Sequence, residues 1–161
     1  MRKPGVLFLC TANSARSVMA EAFLRRAAGD RFEVASAGLA PAPVHPLTVR
    51  VMREVGIEVG DREPRGVGDY LGRESFRYVV SVCEAAEREC PRLWPFAPTF
   101  LSWPFQDPAD ADGTDAERLA RFRWVRDQIR VRVEAWVREL DRPEPHDHYI
   151  HPSEYKPRGA K

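Results

Sequence analysis

The chain has 161 residues, of which 43% are hydrophobic and 30% are charged, and its formal net charge is +1. A chain of this length and apolar content forms one globular domain with its own core. The nearly balanced charge gives no electrostatic reason to expect nucleic acid or an anionic membrane as a partner.

The three cysteines of the chain indicate its compartment. The apolar run near the N-terminus is broken by polar residues from Thr11 onwards, which is unlike a signal peptide, and no apolar stretch has the length of a bilayer span. Thiols in a chain without an export signal indicate a reducing environment, where paired cysteines are more often catalytic or redox-active than structural. A cytoplasmic protein is therefore expected.

Apolar runs of strand length alternate with helical patterns along the chain. The pattern predicts strands at 6–9, 32–37, 78–82 and 99–103, and helices at 17–28, 46–55 and 115–140. This alternation is typical of an α/β domain with a parallel sheet. The last helix carries apolar residues every three or four positions, which predicts one buried face made of Leu119, Phe122, Val125, Ile129, Val133, Trp136 and Leu140. Its arginines, such as Arg118, Arg121, Arg130 and Arg138, are expected on the solvated face.

Beyond residue 140 the composition changes to prolines and charges without apolar periodicity. The domain is therefore assigned to residues 1–140, and an extended or disordered tail to residues 141–161. His146, His148 and His151 lie in this tail. No cysteine accompanies them there, so no metal site is expected.

Cys10 and Arg16 stand between the first strand and the first helix, with five residues between them. The N–H groups and the positive dipole end of a helix N-terminus attract a tetrahedral oxyanion, and Arg16 can hold two of its oxygens. The same field favours the thiolate of Cys10, which makes it a nucleophile. A lone cysteine at a strand end is more often structural, but the arginine and the helix start favour catalysis.

Cys83 directly follows the third predicted strand, and Cys90 follows six residues later. The carboxyl ends of parallel strands meet at one edge of the sheet, so Cys83 is placed near the Cys10 loop. The intervening residues suit a one- or two-turn helix, which would hold the two sulfurs apart until it unwinds. In isolation, two incidental cysteines would be the better interpretation. The spacing fits neither a thioredoxin-like Cys-x-x-Cys motif nor a zinc site.

Asp107 precedes Pro108 just after the last predicted strand, at the same edge of the sheet. Thiolate attack on an oxyanion requires a proton donor for the departing oxygen, and a carboxylic acid can serve in this way. An aspartate before a proline is also a common turn residue. Position alone leaves both interpretations open.

Together these residues resemble the thioredoxin-coupled arsenate reductases, which share the low-molecular-weight protein tyrosine phosphatase fold. The resemblance covers about residues 5–140 and is carried by LFLCTANSARSVMAEAF, the Ser36-Ala37-Gly38 turn, HPLTVRVMREVGI, the Cys83 and Cys90 pair and DPADADGTDAERLARFRWVRDQI. It implies a four-stranded parallel sheet flanked by helices in three layers.

The resemblance also implies a role for each residue of the loop. Cys10 would attack arsenate, Ser17 would stabilise the thiolate and Asn13 would hold the loop in shape. The oxyanion would be bound by the side chain of Arg16 and by the loop Thr11, Ala12, Asn13, Ser14, Ala15, Arg16 and Ser17. Asp107 would protonate the leaving oxygen.

Three cysteines would then form a disulfide relay. Cys83 would attack the Cys10 adduct and release arsenite, and Cys90 would resolve the resulting disulfide. Thioredoxin would reduce the final Cys83 to Cys90 bond. The resemblance implies that no metal or organic cofactor is needed. A monomer is expected, although the sequence itself leaves the oligomeric state open.

The chain departs from the family in a few places. Ala12 and Ala15 stand where relatives often have glycine and a further cysteine. Some relatives bind potassium near the loop, and Glu21 and Ser36 match parts of that site. Here the stretch 61–65 reads DREPR, in which Arg65 is expected to supply a positive charge, so no potassium site is predicted.

Two other functions remain open at the level of sequence. Phosphate and arsenate are nearly isosteric, so Cys10, Arg16 and Asp107 would also suffice for a phosphatase acting on phosphate monoesters. The downstream cysteines, and Ala109 and Asp110 in place of the tyrosines found in tyrosine phosphatases, favour the reductase. A non-enzymatic anion-binding module would instead have a Cys10 that titrates as an ordinary thiol.

Overall fold

The computed structural model describes residues 2–72, 74–86, 88 and 99–142. Its strands are β1 (Gly5–Cys10), β2 (Glu33–Gly38), β3 (Tyr78–Ser81) and β4 (Thr99–Ser102). Its principal helices are α1 (Arg16–Ala28), α2 (Pro46–Glu54) and α3 (Asp115–Asp141). These elements confirm the predicted alternation, and each bound lies within one residue of its prediction. Short 3₁₀ turns at Val67–Asp69 and Pro108–Asp110 complete the connections.

The four strands form one parallel sheet in the order β2-β1-β3-β4. The chain passes from β1 to one side and later crosses back to the other, so the order reverses at β1. Ligands of open α/β sheets bind at such a point, outside the carboxyl ends of the strands. Cys10 is the last residue of β1 and pairs with Gly38, while Leu9 pairs with Ser81 of β3.

The core lies on both faces of the sheet. Residues 6–9 of β1 are fully buried, as expected for a central parallel strand that helices cover on both sides. The predicted apolar face of α3 is confirmed: its residues from Leu119 to Trp136 are buried, and Leu140 at its end is half-buried. The predicted fold, a four-stranded parallel sheet in a three-layer α/β arrangement, is therefore confirmed.

Arg126 is a buried exception among the arginines of α3. Its guanidinium donates to the carbonyl oxygen of Val51 at 3.0 Å and to Glu54 at 2.9 Å. Arg123 makes a two-pronged pair with the same carboxylate. The two arginines thus attach α3 to the end of α2.

The final helix ends one residue beyond the predicted domain boundary, at Asp141. Residues 143–161, with the three tail histidines, lie outside the described residues, as does Cys90. Within the described part of the chain, no helix has both the length and the apolar character needed to cross a membrane.

Candidate active site

The loop between β1 and α1 is held from outside by the segment that follows β2. The carbonyl groups of Cys10, Thr11, Ala12 and Ser14 accept hydrogen bonds from the N–H groups of Leu39, Ala40, Ala42 and His45. In a planar trans peptide the N–H points away from the carbonyl, so the loop N–H groups are turned to the opposite side. That side contains the Cys10 sulfur, which accepts the N–H of Asn13 at 3.0 Å. The loop is therefore shaped as a cradle of donors for an anion.

The Cys10 side chain is buried, with 3% of its surface exposed. Its Sγ lies 2.8 Å from Ser17 Oγ, and Ser17 Oγ donates to Asn13 Oδ1 at 2.9 Å. A serine hydroxyl has one proton to donate. With a Cys10 thiol, the S–H donates to Ser17 and the serine proton stays with Asn13. With a thiolate, the serine proton has two acceptors, the sulfur and Asn13 Oδ1, beside the Asn13 N–H that already donates to the sulfur.

Asn13 adopts a left-handed backbone conformation with φ of 51°. Asparagine tolerates this region better than most residues. Its side chain is also held, because Nδ2 donates to the Arg65 carbonyl at 3.4 Å. The backbone N–H, Oδ1 and Nδ2 of Asn13 thus contact Cys10, Ser17 and Arg65, and the shaping role of Asn13 stays a prediction.

Arg16, the first residue of α1, reaches across to the segment after β4. One guanidinium nitrogen donates to the Phe105 carbonyl at 3.0 Å, and another lies 3.5 Å from Asp107 Oδ2. Asp107 Oδ1 meanwhile accepts the N–H of Ala109 and caps the following 3₁₀ turn. Asp107 is therefore a turn residue that also lies beside the arginine, and its role as the acid stays a prediction. An arginine has five N–H donors, so this anchoring leaves others for an oxyanion.

Cys83 follows β3 and is buried, with 4% of its surface exposed. Its Sγ accepts the N–H of Ala86 at 3.4 Å from the first turn of the helical segment that starts at Glu84, and it lies 3.6 Å from Thr11 Oγ1. The sequence placed Cys83 at this edge of the sheet, and the contact with Thr11 confirms that it lies beside the Cys10 loop.

Four of these residues, Thr11, Arg16, Cys83 and Asp107, line a cleft of about 680 Å³ at the carboxyl edge of the sheet, whereas the buried Cys10 is not among its lining residues. Its lining residues are Thr11, Arg16, Cys83, Glu84, Ala85, Arg88, Pro104, Phe105, Gln106, Asp107 and Asp110. The cleft thus joins the loop, the anchoring arginine, the candidate acid and the second cysteine. The third, Cys90, lies outside the described residues.

His45 adjoins this site at the start of α2. Its backbone N–H holds Ser14, its Nδ1 accepts the N–H of Leu47 at 3.0 Å, and its ring packs on Phe122. Burial lowers the pKa of His45 and the positive charge of Arg118 adds to this, whereas Asp107 opposes the shift. The neutral imidazole is the form that can accept the Leu47 bond and cap the helix.

Arg62, which sequence reasoning missed, lies below the loop. Its guanidinium pairs with the Glu21 carboxylate and donates to Ser36 Oγ at 2.8 Å. The expectation that Arg65 supplies this charge is wrong, since the Arg65 guanidinium donates instead to Tyr70 Oη at 2.9 Å. Glu21 and Ser36, which match part of the potassium site of some relatives, are thus engaged by an arginine. The residues present do not fit a potassium ion.

A parallel α/β sheet whose first strand ends in a cysteine cradled by a helix N-terminus defines a class of proteins that bind tetrahedral oxyanions beside a thiol. The model of the low molecular weight phosphotyrosine protein phosphatase family matches residues 5–146. The chain belongs to this family.

Several relatives that the chain resembles are arsenate reductases. The arsenate reductase of Shouchella clausii is 41% identical over 85% of this chain and 97% of its own length. The arsenate reductase of Halalkalibacterium halodurans is 38% identical over 85% of this chain and 97% of its own length. A solved arsenate reductase in its phosphate binding state superposes with a TM-score of 0.70 at 30% identity, covering 85% of this chain and 98% of the other. The resemblance that the motifs predicted is confirmed, and the coupling to thioredoxin stays a prediction.

Proposed function

We propose that this chain is an arsenate reductase in which Cys10 is the nucleophile and Cys83 completes the reduction. The observation that carries the proposal is the second buried thiol on the Arg16 cleft, which contacts Thr11 Oγ1 and accepts a helix-start N–H. Ester hydrolysis needs no such group. The arsenate reductase names of the relatives support the same activity.

The first step is the attack of the Cys10 thiolate on arsenate. The oxyanion lies in the N–H cradle with Arg16 on its outer side, where the guanidinium is already oriented by the Phe105 carbonyl. A sulfur–arsenic bond forms and an arsenic–oxygen bond breaks. Asp107 gives a proton to the departing oxygen, which leaves as water. Ser17 and the Asn13 N–H stabilise the attacking thiolate.

The second step transfers two electrons. The Cys83 thiolate attacks Cys10 Sγ, a disulfide forms and the sulfur–arsenic bond breaks. The electron pair of that bond stays on arsenic, which changes from As(V) to As(III) and leaves as arsenite. The two thiols supply the two electrons. Thr11 Oγ1 and the Ala86 N–H contact Cys83 Sγ and hold it beside the Cys10 loop.

The third step restores Cys10. Cys90 attacks the Cys10–Cys83 disulfide, which releases the Cys10 thiolate and forms a Cys83–Cys90 disulfide. A dithiol protein of the thioredoxin type returns the two electrons by thiol exchange. We further propose that the enzyme acts as a monomer in the cytoplasm, where such reductants keep thiols reduced, and that it retains weak phosphate ester hydrolysis.

The test is arsenate-dependent NADPH oxidation with purified thioredoxin and thioredoxin reductase, with para-nitrophenyl phosphate hydrolysis measured alongside. Cys83→Ser should abolish arsenate turnover and leave ester hydrolysis intact. Cys10→Ser should abolish both. Ser81→Ala removes a buried hydroxyl nearby on β3 and should leave both in place.

Either of two results would contradict the proposal. Absence of arsenate turnover with strong hydrolysis that does not depend on Cys83 would make the chain a phosphatase. Absence of both activities, with a Cys10 that is alkylated like an ordinary thiol, would make it an anion-binding module.

A further inference from the structure

A buried ion pair joins three elements beneath the nucleophile loop. Glu21 of α1 has only 3% of its surface exposed, and Ser36 of β2 is fully buried. The Arg62 guanidinium pairs with the carboxylate and donates to the serine hydroxyl, which in turn donates to Glu21 Oε2 at 3.2 Å. Arg25, mostly exposed, donates to the other carboxylate oxygen at 3.1 Å. Arg62 is therefore the more deeply placed of the two cations that neutralise Glu21.

This ion pair is a costly way to stabilise a fold. Removing two charges from water offsets much of their attraction, so buried pairs contribute little net stability. Burial, with Arg65 nearby, lowers the pKa of Arg62. Among the described residues, its Nε–H is also buried without an acceptor. Apolar side chains in place of the whole pair would fill the space at less cost, so the pair is better explained by the geometry that it holds.

The geometry that Arg62 holds is that of the loop. Three residues further along the chain, the Arg65 carbonyl accepts the Gly38 N–H at 2.8 Å and Asn13 Nδ2 at 3.4 Å. Asn13 in turn contacts Ser17, and Ser17 contacts the Cys10 sulfur. Glu21 provides a second route, because it lies one helical turn after Ser17 on α1. Both routes lead from Arg62 to the nucleophile.

We propose that Arg62 is a positioning residue for the nucleophile: an internal cation that fixes the segment 62–65 against α1 and β2, so that the Arg65 carbonyl holds Asn13 and keeps Ser17 directed at Cys10. The inference rests on the proposed function only in taking Cys10 as the nucleophile. It extends to any oxyanion bound in the loop.

The test measures Cys10 directly, without arsenate turnover. In a Cys83→Ser, Cys90→Ser background, the pH profile of iodoacetamide alkylation reports Cys10, and protection by inorganic phosphate reports the cradle. Arg62→Met should raise the midpoint of the alkylation profile by about one pH unit and weaken phosphate binding about tenfold, the size of one hydrogen bond to a charged group. Arg62→Lys keeps the positive charge, so its alkylation midpoint and phosphate affinity should stay close to those of the wild type.

The matched control is Arg126→Met. Arg126 is also a paired and largely buried arginine, with 11% of its side chain exposed against 19% for Arg62, but it joins α2 to α3 away from the loop. Arg126→Met should lower the melting temperature and leave the alkylation midpoint of Cys10 and the phosphate affinity unchanged. A purely structural role for Arg62 would make the two variants behave alike.

A second variant covers the case in which Arg62→Met does not fold. Ser36→Ala removes one acceptor of the guanidinium without stranding a charge, and it should shift the midpoint in the same direction by a smaller amount. If Arg62→Met folds and keeps the wild-type alkylation midpoint and phosphate affinity, the proposal is overturned. If Arg62→Met does not fold, the same wild-type values in Ser36→Ala would overturn it. If the protein does not reduce arsenate but the variants shift the Cys10 midpoint and phosphate affinity as expected, the proposed reductase function fails and the positioning role of Arg62 stands.

Discussion

Gly38, the last residue of β2, lies in direct contact with Ala12 of the nucleophile loop. A Cβ atom at Gly38 would stand 2.7 Å from the Ala12 carbonyl carbon and 2.7 Å from the Asn13 nitrogen. Both neighbours are backbone atoms, so neither can rotate away. The loop can keep its shape only if this position has no side chain.

Gly38→Ala should therefore displace the loop. The expected cost is about 1 to 3 kcal/mol of stability from overpacking, together with a large loss of phosphate binding because the N–H groups move. Gly68→Ala is the control, since a Cβ there has nothing within 4 Å. Phosphate titration and urea unfolding of both variants provide the measurement. Equal phosphate affinity in Gly38→Ala and wild type would show that the loop can relax around a methyl group.

Ser17→Ala removes the hydroxyl that lies 2.8 Å from the Cys10 sulfur. The thiolate loses a donor, so the midpoint of its alkylation profile should rise by about one pH unit, equivalent to about 1.4 kcal/mol. Ser81→Ala also removes a buried hydroxyl, which donates to the Leu101 carbonyl, and it should cause no shift. If both variants keep the wild-type midpoint, Asn13 rather than the sulfur is the partner of the Ser17 proton.

Asp107→Asn keeps an oxygen that can accept the Ala109 N–H, so the turn should survive. It removes the acid, and arsenate turnover should fall by about 10²- to 10⁴-fold. Iodoacetamide alkylation of Cys10 should continue, because the thiolate network does not include Asp107. Asp110→Asn, which changes another carboxylate of the same cleft, should retain nearly full turnover. Comparable losses in both variants would point to the charge of the cleft instead of proton transfer.

Glu54 should link stability to pH. Its hydrogen bonds from Arg123, and then from Arg126, lower the pKa of Glu54 from the ordinary 4.5 to about 2. A carboxylate with a lowered pKa in the folded state stabilises the protein above its ordinary pKa and loses that contribution as the pH falls towards the folded value. Glu54→Gln should thus be less stable than wild type at pH 6, and the two should converge between about pH 4.5 and 2. Thermal unfolding across this range measures the difference, and a constant gap would exclude the linkage.

The order of strands and helices was predictable because it depends on local periodicity. An apolar run of strand length and a stripe of apolar residues every three or four positions are visible in any window of the chain. The strand–loop–helix position of Cys10 and Arg16 followed from the same reading, as did the placement of Cys83 and Asp107 after parallel strands. Each of these statements needs only neighbours in sequence and the rule that parallel strands end at one edge.

The choice between Arg62 and Arg65 was not predictable in this way. Both are arginines in one irregular segment, and no periodicity separates an inward side chain from an outward one there. The burial of Arg126 was not predictable for a related reason, because it depends on where the end of α2 meets α3. In each case the partner comes from a different element.

The groups needed for thiol chemistry on an oxyanion were thus visible in the sequence: a thiol, an arginine and a helix start within eight positions, with two further thiols and an acid downstream. The working geometry required the folded chain. Thr11 meets Cys83 across 72 residues of sequence, and Arg16 meets the Phe105 carbonyl across 89. Such contacts form only when the sheet brings the strand ends together, because short-range patterns contain no information about which distant groups will face each other.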